Sequence, residues 1–169
     1  MIKDYINNEY CDPFDEKQSK KMETKIIKSV VSDWPDLMMI FDKSLRSTID
    51  LPDDDWKKLY EWVITYNYPS LDTYIYKQGD KSVGYISYCT KEKIIKQLYV
   101  LPQYHNQGIG QKLIKYIIDT YSGPMSIGVR TDNDVALHIY TKFGFEKISE
   151  EKYDASRIYM PHYILRKNA

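Results

Sequence analysis

Residues 94–110 read Ile94-Ile95-Lys96-Gln97-Leu98-Tyr99-Val100-Leu101-Pro102-Gln103-Tyr104-His105-Asn106-Gln107-Gly108-Ile109-Gly110. Residues 94 to 101 are mostly β-branched, aromatic or apolar, which predicts a strand ending at Pro102. A short loop follows, then a helix over about 108–121 that Ser122-Gly123-Pro124 breaks. Glycine lets a backbone approach a ligand closely and adopt dihedrals other residues avoid. The first turn of a helix carries N–H groups with no internal partner, and its dipole favours an anion. The turn thus reads either as a phosphate cradle or as a tight connection. It is not the dinucleotide fingerprint, which needs three spaced glycines after a first strand. It is not a P-loop, because no Gly-Lys-Ser/Thr follows.

Upstream, Thr73–Lys77 and Lys81–Thr90 predict two strands joined by a turn at Gln78-Gly79-Asp80. Before them, residues 24–31 (TKIIKSVV) predict a first strand. Ser32 and Asp33 offer N-caps to a helix whose apolar stripe is Leu37, Met38, Ile40, Phe41 and Leu45. A second helix opens at Pro52-Asp53-Asp54-Asp55, with Trp56, Leu59, Tyr60, Val63 and Ile64 at three- and four-residue spacing. Its acidic cluster, including Asp50, caps free N–H groups on one reading and attracts a cationic amine on the other. Downstream, Met125–Val129 predicts a strand, Asn133–Phe143 a helix stopped by Gly144, and 145–152 and 157–165 two last strands. Strands joined across helices imply a partly parallel sheet with helices on its faces. The expectation is an α/β (α+β) fold: a mixed central sheet of about six to seven strands with about four helices. Residues 1–21 read as a tail or first turn, and 22–169 as one domain.

The chain has 169 residues and no formal net charge, so its total charge gives no reason to expect nucleic acid or a membrane surface. No apolar run approaches membrane-helix length, and MIKDYINNEY has no signal-peptide core, so a cytoplasmic location is expected. Cys11 and Cys89 are too few for a disulfide framework, and His105, His138 and His162 are scattered; no metal site is expected. The 17 tyrosines include apolar-patterned positions where a buried phenol keeps a polar handle.

The run His105-Asn106-Gln107-Gly108-Ile109-Gly110, after its strand, resembles the R/Q-x-x-G-x-G/A motif of the GCN5-related N-acetyltransferase (GNAT) superfamily. Residues 133–145, from Asn133 through Ala136 and Tyr140 to Gly144-Phe145, resemble its N-x-x-A-x-x-x-Y-x-x-x-G-F pattern. The resemblance covers about 24–166 and is strongest over 94–146. His105 departs from the usual Arg or Gln. The resemblance implies an acetyl-coenzyme A-dependent transfer to a primary amine in a ternary complex. Leu98, Tyr99 and Val100 would offer main-chain donors to the thioester and pantetheine. His105, Asn106, Gln107, Gly108, Ile109, Gly110 and Gln111 would hold the pyrophosphate. Asn133 would contact pantetheine or, on its own chemistry, cap its helix. Tyr140 would touch the coenzyme and protonate the leaving thiolate, although its helical spacing also suits a core position.

The expected partners are acetyl-CoA and an amine acceptor, with a homodimer common in such proteins. The leading acceptor is a small molecule; a protein N-terminus, a lysine or a non-catalytic acyl-CoA module are the alternatives. The resemblance places acceptor choice in residues 33–66 and a loop over about 152–156. For the general base, the fourth strand has no carboxylate; Glu92, Tyr85, Tyr88, His138 and ordered water are candidates.

Overall fold

The structure, a computed structural model, describes residues 23–154 and 159–169. The expected tail, residues 1–21, lies outside the described residues. The strands are β1 (Thr24–Lys28), β2 (Asp72–Gln78), β3 (Lys81–Cys89), β4 (Ile94–Val100), β5 (Met125–Arg130), β6 (Glu146–Asp154) and β7 (Tyr159–Lys167). The helices are α1 (Trp34–Arg46), α2 (Asp53–Trp62), the single turn α3 (Tyr68–Ser70), α4 (Ile109–Thr120) and α5 (Asp134–Lys142). One sheet runs β1-β2-β3-β4-β5-β7-β6, and only β4 and β5 pair in parallel. This is the expected mixed sheet, flanked by the four longer helices.

Two apolar layers hold it. On one face, Leu37, Ile40, Phe41 and Leu45 of α1 pack with Trp56 and Leu59 of α2 against Ile75 and Tyr85. On the other, Ile109, Leu113, Ile114 and Ile117 of α4 join Val83, Ile86, Ile127 and Val129. Both α1 and α4 bury side chains at three- and four-residue spacing, the stripe a one-sided helix needs. Arg46 ties α1 to α2: its guanidinium bonds Asp42 at 2.6 Å and the Tyr60 hydroxyl at 2.9 Å, 4.2 Å from the Trp56 ring centre.

Several local expectations change. The first strand stops at Lys28: the Ser29 N–H still bonds the Thr73 carbonyl in register, but the Val30 N–H then turns to the Asp33 carboxylate at 2.9 Å. Val31–Asp33 is therefore a 3-10 turn. The acidic residues opening α2 make no side-chain cap; Pro52 stands there, its carbonyl accepting from Asp55 and Trp56. Helix α2 also runs on through a π turn, Val63–Asn67, into α3. β6 reaches Asp154, so the first part of the expected 152–156 loop is strand and the rest lies outside the described residues.

One irregularity positions the site. Ser87 pairs with Gln97 and Tyr88 with Ile95, leaving Lys96 as an extra residue in β4. Such a bulge bends and twists its strand. Only Ile94 and Ile95 pair with β5; beyond the bulge the two strands part. At the far end of the parting, Gly84 on β3 lets β4 and α4 come close. A Cβ there would stand 3.0 Å from the Tyr99 carbonyl oxygen and 3.1 Å from a Val100 methyl. Gly84→Ala is expected to cost about 1–3 kcal/mol by overpacking. Denaturant unfolding checks this; an unchanged midpoint would remove Gly84 as the spacer.

Candidate active site

The parting of β4 and β5 opens a cleft of about 270 Å³. Its β4 wall is Lys96, Gln97, Leu98, Tyr99 and Val100, and its β5 wall is Ile127, Gly128, Val129 and Arg130. Asn133, Ala136 and Tyr140 of α5 and its approach close one side, with His162 of β7 beside them. Across the opening stand Phe41, Ser44 and Leu45 of α1 with Thr48 just past it, and Trp62 at the end of α2 with Val63 after it. Arg130 spans this opening. It grips Asp132 with Nε at 2.9 Å and Nη2 at 3.1 Å, and its Nη1 donates to the Thr48 hydroxyl at 3.3 Å.

The turn after β4 is built for open backbone. Asn106 and Gly108 both have positive φ, 61° and 72°. Gly108 is the N-cap of α4, and no side chain caps that end. A Cβ at Gly108 or Gly110 would meet nothing within 4 Å. An uncapped helix start facing open space is what an anion needs. Asn106, Gln107 and Gln111 are exposed around it, whereas the Ile109 side chain is buried in the core, leaving only its backbone to a ligand. The cleft lining reaches His105 but not residues 106–111. The His105 ring folds back, its Nε2 2.8 Å from the Val100 carbonyl oxygen, which also accepts from Ser44 Oγ at 3.0 Å. The ring thus ties the loop to the strand end.

Asn133 caps α5: its Oδ1 accepts from the Ala136 N–H at 3.0 Å, while the residue still lines the cleft. Tyr140 belongs to both readings made for it. Its ring is buried against Phe145, centroids 6.2 Å apart, and it lines the cleft. Burial, then the nearby Tyr99 phenol, pushes its hydroxyl well above the usual phenol range, so it holds its proton. Gln97 is held by Tyr85 and Ser87 hydroxyls, each 3.4 Å from its Oε1.

The general-base candidates fare differently. Tyr85 and Tyr88 are buried outside the cleft lining, and Glu92 is exposed and pairs with Lys96 at 2.5 Å. His138 is exposed on α5 and does not line the cleft. The acidic cluster at α2 also lies outside the lining. The residues that local reading missed are Thr48, Lys96, Gly128, Arg130 and His162. A glycine inside a strand, as at Gly128, signals close approach; the β5–β7 register that brings His162 beside Arg130 has no local signal. Among the described residues, no three His, Cys, Asp or Glu side chains are grouped to hold a metal, and no helix is long and apolar enough to cross a membrane.

Buried phenols also set a pH limit. Burial raises Tyr68, Tyr85, Tyr121 and Tyr140 above the ordinary value of 10.0. A raised acid favours its protonated, native form. Its stability is whole below about pH 10 and is lost as pH climbs toward the native values. Denaturant midpoints are expected to hold to about pH 9 and fall above about pH 10, with phenolate absorbance rising alongside unfolding. A phenolate signal that completes before unfolding starts would contradict this.

The family model described as "Acetyltransferase (GNAT) family" matches residues 34–145, more than half of the chain. The chain belongs to the GNAT family. N-alpha-acetyltransferase RimI of Mycobacterium tuberculosis is 40% identical over 48 residues, 28% of this chain and 30% of that protein. This chain thus matches under a third of that relative's length. A GCN5-related N-acetyltransferase from Rhodopseudomonas palustris superposes with a TM-score of 0.73 at 14% identity, over 88% of this chain and 98% of its own. The PaiA N-acetyltransferase of Thermoplasma acidophilum, solved with coenzyme A, gives 0.64 at 19% identity, over 88% and 100%. At these identities the likeness is one of fold. The parted strands, the glycine turn and Tyr140 all lie within the matched residues 34–145.

Proposed function

We propose that this GNAT protein moves the acetyl group of acetyl-CoA to a primary amine of a small molecule, by direct attack with both substrates bound in the cytoplasm. The observation that carries this reading is the parting of β4 from β5, with the uncapped start of α4 at one end and the buried Tyr140 phenol beside it. The N–H groups of α4's first turn and residues 106–111 would hold the pyrophosphate. His105 would shape this cradle through Val100. Leu98, Tyr99 and Val100 pair with β3 but not with β5, so the β5-facing side of this stretch would meet pantetheine and the thioester carbonyl, the Val100 carbonyl itself being held by His105 and Ser44. Asn133 would add a pantetheine contact beside its cap. Tyr140, keeping its proton, would donate it to the departing thiolate.

The Arg130 crossing to Thr48 narrows the acceptor side and supports a compact amine. A second reading, a polypeptide N-terminus as acceptor, is favoured by the RimI relative. Release of free thiol from acetyl-CoA, measured with a panel of small amines and with short peptides, separates the two. Turnover with peptides alone would overturn the small-molecule reading. Coenzyme binding without turnover on any amine would leave a binding module.

A further inference from the structure

We propose that Gln97 selects the acceptor: its side-chain amide nitrogen donates a hydrogen bond to an oxygen that the incoming amine carries a few bonds from its reacting nitrogen. The assignment rests on the transferase reading above and names the acceptor class, a primary amine with an ether, hydroxyl or carbonyl oxygen close by. The β4 bulge aims this side chain. Alternate residues of a strand share a face, so Ile95 and Gln97 would ordinarily point the same way. Ile95 pairs with Tyr88, and both pack in the layer under α4. Gln97 pairs with Ser87 instead, two residues from Tyr85 of the layer under α1 and α2; Tyr99, two residues past Gln97, packs in that layer as well. The extra residue, Lys96, shifts the alternation by one and turns Gln97 to the α1 side. There the cleft walls are Phe41, Leu59, Trp62 and Val63. The α4 helix packs on the opposite sheet face, so Gln97 stands with the acceptor walls and not with the pyrophosphate cradle.

A buried polar row orients the amide. Thr73, Ser87 and Gln97 stand side by side on β2, β3 and β4, all buried. Thr73 Oγ1 lies 2.8 Å from Ser87 Oγ, and the Ser87 and Tyr85 hydroxyls each donate to Gln97 Oε1 at 3.4 Å. Hydroxyls inside an apolar layer are costly unless bonded; here they hold one end of an amide. With both acceptor sites of Oε1 taken, Nε2 points away from them. Among the described residues Nε2 has no bonding partner. The side-chain polar atoms sealed in without a partner there are Gln78 Oε1 and Ser82 Oγ, and the Gln97 nitrogen is not among them. It is therefore open, and the opening that Gln97 lines is the cleft.

Amide chemistry limits what this nitrogen can meet. Its N–H groups only donate, so Gln97 binds substrate and moves no proton. The reacting amine needs its own lone pair for the acetyl carbonyl carbon, so the bond goes to another acceptor atom of the substrate, an oxygen. A strand advances about 3.3 Å per residue, which places Gln97 about 7 Å before Tyr99, whose main chain would face the thioester. A short spacer therefore separates the bonded oxygen from the reacting nitrogen. A site built around such a donor rejects the analogue without the oxygen, because the donor is then left unpaired in a desolvated cleft.

The test sets the full chain against Gln97→Met and Gln97→Leu, with 2-methoxyethylamine and butylamine as acceptors. The two amines differ by an ether oxygen in place of a methylene. Wild type is expected to favour the ether amine by about tenfold or more in kcat/KM, taken per unprotonated amine. In both variants the preference should fall to within about twofold, through loss on the ether amine while butylamine is little changed. Acetyl-CoA binding, read by thermal shift, should persist in both. A wild type that treats the two amines alike, or turns over neither, overturns the assignment. So does a variant that keeps the wild-type preference. An equal loss with both amines, or lost coenzyme binding in both variants, marks a structural role and overturns it as well. A wild type that binds acetyl-CoA but acetylates no amine at all overturns the transferase reading itself, and this assignment falls with it.

Discussion

Tyr140→Phe is expected to lower turnover by about 10²- to 10³-fold while acetyl-CoA affinity stays within about twofold. The substitution removes one oxygen and keeps the ring, so the edge contact to Phe145 and the buried area survive. Loss of folding is therefore not the expected outcome. The departing thiolate then lacks a nearby proton, and the carbon–sulfur bond must break toward a bare anion in a poorly solvated slot. Because burial and the Tyr99 phenol keep Tyr140 protonated, no alkaline limb from this group should appear in the working range. Steady-state thiol release and equilibrium coenzyme binding, run on one preparation, make the measurement. Unchanged turnover with retained binding would show that Tyr140 is a core residue and not the acid.

The second large effect concerns the helix start. Gly108→Val is expected to weaken acetyl-CoA binding by about 10²-fold with only a modest loss of stability. At φ 72° a β-branched residue is strained by about 1–3 kcal/mol. No protein atom lies within 4 Å of the new Cβ, so the fold has nothing to clash with. The new side chain instead stands where the α4 N–H groups face outward. Losing two charge-assisted hydrogen bonds at about 1.5 kcal/mol each amounts to about 3 kcal/mol, or roughly 10²-fold. Acetyl-pantetheine, which lacks the pyrophosphate, provides the contrast: its weaker binding should be the same in both proteins. An equal loss for this fragment would mean the turn does not hold the pyrophosphate.

How far the sequence carries can be followed residue by residue. The strand-turn-helix at 94–120 and the Asn133–Phe145 segment were legible because their signals are local: β-branched runs, glycines at a helix start, a cap and a stop. Tyr140 was legible as a candidate by its motif. The first strand ends earlier than the strand propensity of Val30 and Val31 predicts, because the Asp33 carboxylate takes the Val30 N–H and Val31–Asp33 closes as a 3-10 turn. The carboxylates of α2 suited a cap, yet Pro52 takes that position. Lys96 looked like an ordinary strand residue; only its missing partner on β3 marks it as a bulge.

By itself, then, the sequence determined the order of elements, the mixed sheet and the glycine turn that opens α4. Each depends on contacts within a few residues, where side-chain pattern and backbone freedom decide. Only the tertiary structure decided where β4 leaves β5, that Ser44 reaches the Val100 carbonyl, and that Arg130 and His162 face the opening. Those depend on strand register and on groups 56 to 82 residues apart, such as Ser44 with Val100 and Thr48 with Arg130. No local periodicity encodes such pairs; they form only when the packed sheet brings them within bonding distance.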